Sequence, residues 1–248
     1  MNNFIFHAPT KVFFGAGQLD ALGPQAGFLG KRALLVYGKG SVKHSGVYDS
    51  VVDRLRSHGI EFVELAGVDP NPRLETVIEG ARLCCEGGIE FVLAVGGGSV
   101  IDCAKGVAAV TGFDGEPWDL WRGTRRLERA LPLGVVLTLA ASGSECNSGA
   151  VITNAVAGEK LGLGSPHLYP RFSILDPTLT STVPPRQTAA GVADIMSHVF
   201  EFYFSVDTSA FLQDSLAEAV LRTCVKYGPV ALARPADYEA RANLMWAG

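Results

Sequence analysis

Phe91-Val92-Leu93-Ala94-Val95-Gly96-Gly97-Gly98-Ser99-Val100-Ile101-Asp102-Cys103-Ala104-Lys105 is the stretch that decides the fold. Five apolar residues in a row, without polar alternation, predict a strand buried on both faces, as inside a parallel sheet. Three glycines follow, and helical spacing resumes over 100–110. A strand, a glycine turn and a helix start in that order leave free backbone N–H groups at the positive end of a helix dipole, where an anion can approach closely. A pyrophosphate is the natural occupant. The turn is not the G-x-G-x-x-G fingerprint, however, and a purely structural turn would look the same. Asp102 and Lys105 follow Ser99 by three and six residues. They fall on the first turns of the same helix, either within reach of a nucleotide or as a solvent-facing pair.

On either side of this stretch, strand and helix signals alternate at short intervals. Toward the N-terminus, strands are expected at 4–6 and 11–14 around Pro9, at 33–37 and at 62–65, with helices near 19–22, at 47–55 and at 74–85. Toward the C-terminus, further strands are expected at 133–139, 150–154 and 172–175. Such alternation argues for a parallel sheet covered by helices on both faces. After Pro184-Pro185 the strand signal vanishes, and helical periods dominate at 188–204, 211–225 and 237–247. The expected organisation is an α/β domain over residues 1–183, followed by the start of an all-helical domain over 184–248. Gly248 suits a helix C-cap. Three helices would leave Leu244, Met245 and Trp246 poorly covered, so the chain reads as the larger, amino-terminal part of a longer one.

Composition narrows the partner classes. The 248 residues are 48% apolar and 19% charged, with a formal net charge of −4. That balance gives no electrostatic reason to expect nucleic acid or an anionic membrane as partner, so any phosphate recognition must be local. The start Met1-Asn2-Asn3-Phe4 lacks the basic region of a secretory signal, and no run approaches the roughly 20 apolar residues of a membrane helix. Five cysteines without a C-x-x-C pair read as reduced thiols. A soluble, cytoplasmic protein is expected.

Several further motifs occur in order: Asp69-Pro70-Asn71-Pro72, Leu137-Thr138-Leu139-Ala140-Ala141-Ser142-Gly143-Ser144-Glu145, Asp176-Pro177, Pro184-Pro185, and Gly191-Val192-Ala193-Asp194-Ile195-Met196-Ser197-His198. With the glycine turn, Asp102 and Lys105, they resemble the metal-dependent, iron-containing alcohol dehydrogenase family along nearly the whole chain. Within that family the pattern is most similar to the NADPH-dependent aldehyde reductase and butanol dehydrogenase branch. The resemblance implies a Rossmann-like cofactor domain, a helical metal domain and a cleft between them. It also implies cofactor contacts at Gly97, Gly98, Ser99, Asp102, Thr138, Ser142 and Lys160, a small alcohol or aldehyde as substrate, and a homodimer. From the residues alone, Thr138 and Ser142 either end a strand where ligands collect in open α/β sheets or form an ST-turn. Lys160 alone reads as an exposed loop lysine. Relatives of glycerol dehydrogenase and dehydroquinate synthase share the glycine loop, but the Asp194-to-His198 spacing and the 138–145 turn favour the alcohol dehydrogenase branch.

The strand expected at 33–37 leads into Gly38-Lys39-Gly40-Ser41-Val42-Lys43. In dinucleotide folds an acid at such a place often bonds the adenosine ribose hydroxyls. None stands in this segment. Gly38, Ser41 and the two lysines suit a 2′-phosphate, so NADP(H) is expected over NAD(H); the alternative makes the lysines ordinary surface charges.

Asp194 and His198 lie four residues apart and share a helix face. A carboxylate oxygen and an imidazole nitrogen so placed can grip one divalent ion, and such a pair can equally be a surface hydrogen bond. The resemblance makes them metal ligands, joined by two histidines from later helices. No histidine follows His198 in this sequence, and His7, His44, His58 and His167 read as surface or loop residues. Two ligands fall short of the usual three or four, and iron(II) and zinc(II) suit these donors equally. No catalytic side chain beyond the ligands is expected; the metal would act as a Lewis acid on the substrate oxygen during hydride transfer. On this reading the chain is inactive or impaired as it stands, and a nucleotide-binding chain without catalysis is the alternative.

Overall fold

The computed structural model describes residues 3–204 and 210–248. Its strands are β1 (Lys11–Phe14), β2 (Arg32–Gly38), β3 (Glu61–Val68), β4 (Phe91–Gly96), β5 (Leu133–Leu137), β6 (Gly149–Asn154), β7 (Glu159–Gly164) and β8 (Phe172–Leu175). Its helices are α1 (Leu22–Gly27), α2 (Ser41–His44), α3 (Val47–Ser57), α4 (Leu74–Gly87), α5 (Gly98–Val110), α6 (Trp118–Trp121), α7 (Pro185–Tyr203), α8 (Phe211–Ala233) and α9 (Tyr238–Ala247). Six strands form one sheet in the order β1-β8-β5-β4-β2-β3, with every pairing parallel. This is the Rossmann-like α/β architecture, and a helical region follows it.

The continuous apolar runs make sense because the central strands feed two cores. Leu34 and Val36 of β2 join Val92 and Ala94 of β4 on one face, where α4 and α5 supply Val77, Ala81, Ile101 and Val107. Ala33, Leu35 and Tyr37 join Phe91, Leu93 and Val95 on the other face, where α1 and α3 supply Leu22, Val51 and Leu55. Side chains alternate across a strand, so covering both faces requires every position to be apolar.

The strand order contains a reversal. From β2 the chain moves through α3 to β3 on one side, while from β4 it moves through α5 toward β5 on the other. β2 and β4 are themselves neighbours, paired from Ala33↔Phe91 to Tyr37↔Val95. Ligands of open α/β sheets collect outside the carboxyl ends of the strands at such a point.

Several expectations are corrected. Phe4, Ile5 and Phe6 form no strand and are 67%, 97% and 84% exposed, because no neighbouring edge pairs with them. The strand at 150–154 exists as β6, but it pairs antiparallel with β7 in a separate ribbon outside the parallel sheet. β5 ends at Leu137, and Thr138-Leu139 already turn away. α8 continues through Pro229 to Ala233, well past residue 225. Leu244 and Met245 are not poorly covered: α9 packs on α8 and on the 177–180 turn, Met245 joins the core of the sheet, and Trp246 alone of the three stays 67% exposed. No helix among the described residues is long and apolar enough to cross a membrane.

Gly134 of β5 sits opposite Phe172 of β8, and a Cβ added there would lie 2.4 Å from the buried Phe172 ring. Gly134→Ala is therefore expected to cost about 1–3 kcal/mol of stability, the usual range for overpacking. Urea unfolding of the variant checks this, and an unchanged midpoint refutes it.

Candidate functional site

A cleft of about 550 Å3 opens at the reversal point. Gly38, Ser41 and His44 line it from the end of β2, Val95, Gly96 and Gly97 from the end of β4, and Thr138 and Leu139 from the end of β5. Leu179, Thr182, Val183, Pro184 and Gln187, on the way into α7, close the remaining side. Depressions of about 370 and 560 Å3 beside the 123–129 loop lie away from these strand ends.

The start of α5 faces the cleft. Gly97 is extended (φ −94°, ψ −170°), and its carbonyl accepts from the N–H groups of Val100 and Ile101 at 3.0 and 3.1 Å. No side chain caps this helix, so its first N–H groups keep their capacity to bind an anion. None of the three glycines has a positive φ; what they provide is close approach. At Gly98 an added Cβ would stand 2.5 Å from Ser142 Oγ. The glycine turn and the Ser142 turn are thus in direct contact, as two walls of one site.

A buried polar network holds the second wall in place. Lys105 is fully buried, and its Nζ lies within donating distance of five oxygens: Ser144 O (2.7 Å) and Oγ (3.1 Å), Asn147 O (2.9 Å) and Oδ1 (2.9 Å), and Gly149 O (2.8 Å). Asp102 reaches the same segment from one turn earlier. Its Oδ1 accepts from the Ser144 hydroxyl at 2.6 Å and its Oδ2 from the Val151 N–H at 3.1 Å. Burial raises the Asp102 carboxyl, against the hydrogen bonds from Ser144 and Val151. Burial also pulls the Lys105 ammonium down to about 8, with the Asp102 and Glu145 carboxylates acting the other way. Lys105 is therefore neither solvent-facing nor turned toward a nucleotide, which corrects both sequence expectations. It fastens the 144–149 segment.

The structure brings Gly38, Ser41, Gly97 and Thr138 onto one wall, with Gly98 and Ser99 opening α5 beside them and Ser142 against Gly98. Asp102 stands off that wall, both oxygens engaged. Lys160 on β7 is also off it; its Nζ donates to Asn71 Oδ1 at 2.6 Å, tying the hairpin to the turn after β3. His44, Gln187 and Thr182 were missed by sequence reasoning, and only the fold places them at the cleft.

Carboxylates missed in the sequence also reach the end of β2. Lys39 pairs with Asp69, which follows β3, and Lys43 lies 3.5 Å from Glu64 within β3. The Lys39 ammonium holds the Asp69 carboxyl below its usual range. Glu64 also accepts from the hydroxyls of Tyr37 and Tyr48, and this hydrogen bond pushes Tyr48 up to about 12. Residues 38–43 contain no acid, as the sequence shows, but the neighbouring strand brings two to their lysines: Glu64 from within β3 and Asp69 from just after it.

On α7, His198 Nε2 lies 3.8 Å from Asp194 Oδ1, both side chains about half exposed (49% and 50%). Glu201 Oε2 is 4.0 Å from the other ring nitrogen. An imidazole and a carboxylate on one helix face fit the donor preferences of a divalent transition metal. Among the described residues, no group of three or more such donors gathers, so this pair alone falls short of the usual three or four ligands. Along α7, Asp194 sits roughly 10 Å and His198 roughly 16 Å from Gln187 at the cleft, by the rise of a helix.

The chain matches the family model of iron-containing alcohol dehydrogenase over residues 9–177 and the C-terminal model of the Fe-containing alcohol dehydrogenase family over residues 188–248. NADH-dependent butanol dehydrogenase B of Clostridium acetobutylicum is 54% identical over 247 residues, covering 100% of this chain and 63% of the relative. NADPH-dependent aldehyde reductase YqhD of Escherichia coli is 44% identical over 250 residues, covering 100% of this chain and 64% of that protein. The crystal structure of NADH-dependent butanol dehydrogenase A from Thermotoga maritima superposes with a TM-score of 0.96 at 45% identity, over 100% of this chain and 62% of that one. The chain thus spans somewhat under two-thirds of the length of these relatives.

Lys105→Met removes the ammonium and leaves buried carbonyls at Ser144, Asn147 and Gly149 without donors. A loss of about 2–4 kcal/mol is expected, since orphaned buried acceptors and a broken charged network each cost this order. Urea unfolding gives the energy, and limited proteolysis should show new cleavage within 142–149. A loss below about 1 kcal/mol would contradict the fastening role.

Proposed function

Because the chain belongs to the iron-containing alcohol dehydrogenase family, we propose that it carries the dinucleotide-binding part of an oxidoreductase that interconverts small alcohols and aldehydes with NADP(H). The observation that carries this reading is the cleft at the strand-order reversal, with the uncapped start of α5 opening into it. The diphosphate rests against the N–H groups at Gly97, Gly98 and Ser99, where the helix dipole favours negative charge. The adenosine half extends toward Gly38 and Ser41. The nicotinamide half extends toward Thr138 and Ser142, with Asp102 and Lys160 acting from behind through the 144–151 segment and Asn71. Residues 1–183 form the dinucleotide domain on this reading, and 184–248 begin the metal-holding helical one.

Preference for the 2′-phosphorylated dinucleotide is supported by Ser41, Gly38 and the two lysines around them. Asp69 and Glu64 weaken that support by pairing with those lysines. The names of the relatives divide between NADH and NADPH.

Asp194 and His198 would hold a divalent ion, iron(II) or zinc(II), with further donors from outside the described residues. When bound, such an ion supplies Lewis-acid polarisation of the substrate oxygen. With only two donors gathered among the described residues, both half exposed, the 248 residues by themselves bind the dinucleotide but do not turn over.

Titration of NADPH and NADH into the chain, followed by tryptophan quenching, tests the reading. Saturable binding is expected, tighter for NADPH. Binding of neither would remove the dinucleotide assignment, and tighter NADH would remove the NADP(H) preference. Metal retained after dialysis is expected to be weak in the wild type and to disappear in an Asp194→Asn, His198→Ala double variant. Aldehyde reduction is expected in a C-terminally extended version and not in this chain alone; activity of the 248 residues alone would refute the two-donor argument.

A further inference from the structure

The two lysines beside the adenosine end of the cleft are held in different ways. Lys43 lies over the rings of Tyr37 and Tyr48, 5.0 and 4.5 Å from their centres, and beside Glu64 at 3.5 Å. Both tyrosine hydroxyls donate to that same carboxylate, so Lys43 belongs to a closed cluster with each acid oxygen engaged. Lys39 belongs to an open one. Its side chain is 71% exposed, its partner Asp69 is 35% exposed, and among the described residues the only other cation near Asp69 is Arg73, at 3.8 Å. An exposed ion pair of this kind contributes little and exchanges partners readily.

The sheet register fixes where Asp69 stands. Val68 of β3 pairs with Gly38 of β2, and Gly38 lines the cleft. Asp69 is the next residue along, and its carboxylate lies on Lys39, the next residue after Gly38. One acid and one lysine thus face each other across the ends of two adjacent strands, each one residue beyond the Gly38–Val68 pair at the edge of the cleft.

We propose that Asp69 sets the selectivity between the two nicotinamide dinucleotides, by holding Lys39 and by keeping its own charge beside the ribose 2′-position. This rests on the dinucleotide reading of the cleft. A 2′-phosphate draws Lys39 off Asp69, and the released carboxylate then faces a dianion, which offsets part of the gain. A 2′-hydroxyl leaves the pair intact and finds in Asp69 an acceptor of the kind that reads ribose hydroxyls in dinucleotide folds. One carboxylate therefore taxes NADPH and favours NADH, although its surroundings are basic. A unit charge about 7 Å from a dianion in water changes affinity by roughly tenfold.

The test measures dissociation constants of NADPH and NADH for the 248-residue chain and for Asp69→Asn and Lys39→Gln, at low salt, with melting curves to confirm folding. Asp69→Asn is expected to tighten NADPH about tenfold while NADH stays within about twofold or weakens. Lys39→Gln is expected to weaken NADPH about tenfold and to leave NADH nearly unchanged. Both differences should shrink in about 0.5 M salt, because the charges involved are exposed, whereas a conformational effect of the substitutions would persist. Equal shifts for the two dinucleotides, or no shift, would overturn the role of Asp69 and leave the cleft a dinucleotide site. A wild-type chain that binds neither dinucleotide would overturn both.

Discussion

A parallel sheet buried on both faces must be crossed by helices on both sides, and that requirement shapes everything else in this chain. β2 and β4 lie side by side at the centre, yet their following connections leave in opposite directions. No crossover covers the gap between those departures, so a cleft remains above the two strand ends. α5 must begin there because β4 ends there, and its first turn therefore aims into the gap. The same helix has ten of its thirteen residues buried, because it also fills one of the two cores. Site and core are thus two ends of one element, and neither can shift without the other.

The polar residues of α5 show how a structural demand can resemble a functional one. Asp102 and Lys105 stand out in an apolar helix that follows a glycine turn, and in sequence they look like ligand contacts. In the structure both point at the 144–151 segment. Up to Ser148 that segment is irregular backbone packed against a buried helix, and its last residues begin β6, so its free carbonyls and N–H groups need partners other than water. Lys105 supplies donors to three residues of it, and Asp102 accepts from two. The network fixes the turn that bears Ser142 against Gly98. Its contribution to the cleft is geometric.

The fold was largely legible in the sequence, and the misses share a cause. β2 and β4 announced themselves because burial on both faces leaves no polar alternation to interpret. β7, Glu159-Lys160-Leu161-Gly162-Leu163-Gly164, carries two charges and two glycines, and its strand character comes from pairing with β6. Phe4-Ile5-Phe6 has the opposite property: strand-like residues with no edge to join. At the cleft, Gly38, Ser41, Gly97 and Thr138 could be picked out because each ends a strand or opens a helix. Gln187 could not, since only the approach of α7 brings it there; likewise only the register of β2 with β3 sets Asp69 and Glu64 against Lys39 and Lys43, and only the α2 turn carries His44 to the cleft.

The electrostatics of the cleft follow from the same geometry. On the proposed reading, a chain of net charge −4 that takes a dinucleotide needs positive potential in one place, and its nearby lysines are largely neutralised by Asp69 and Glu64. The remaining source is the backbone: the N–H groups at the start of α5, whose dipoles are fixed by the helix and cannot be withdrawn by a competing carboxylate. Side-chain charge at the adenosine end then discriminates between ligands without having to anchor them. The cation site proposed on α7 would be built in the opposite way. Asp194 and His198 are half-exposed side chains on a helix face, so an ion arriving there replaces water rather than breaking a buried pair. On the proposed reading, an anion held by rigid backbone and a cation gripped by adjustable side chains would load independently, with the short run of α7 from Gln187 to Asp194 linking the two places.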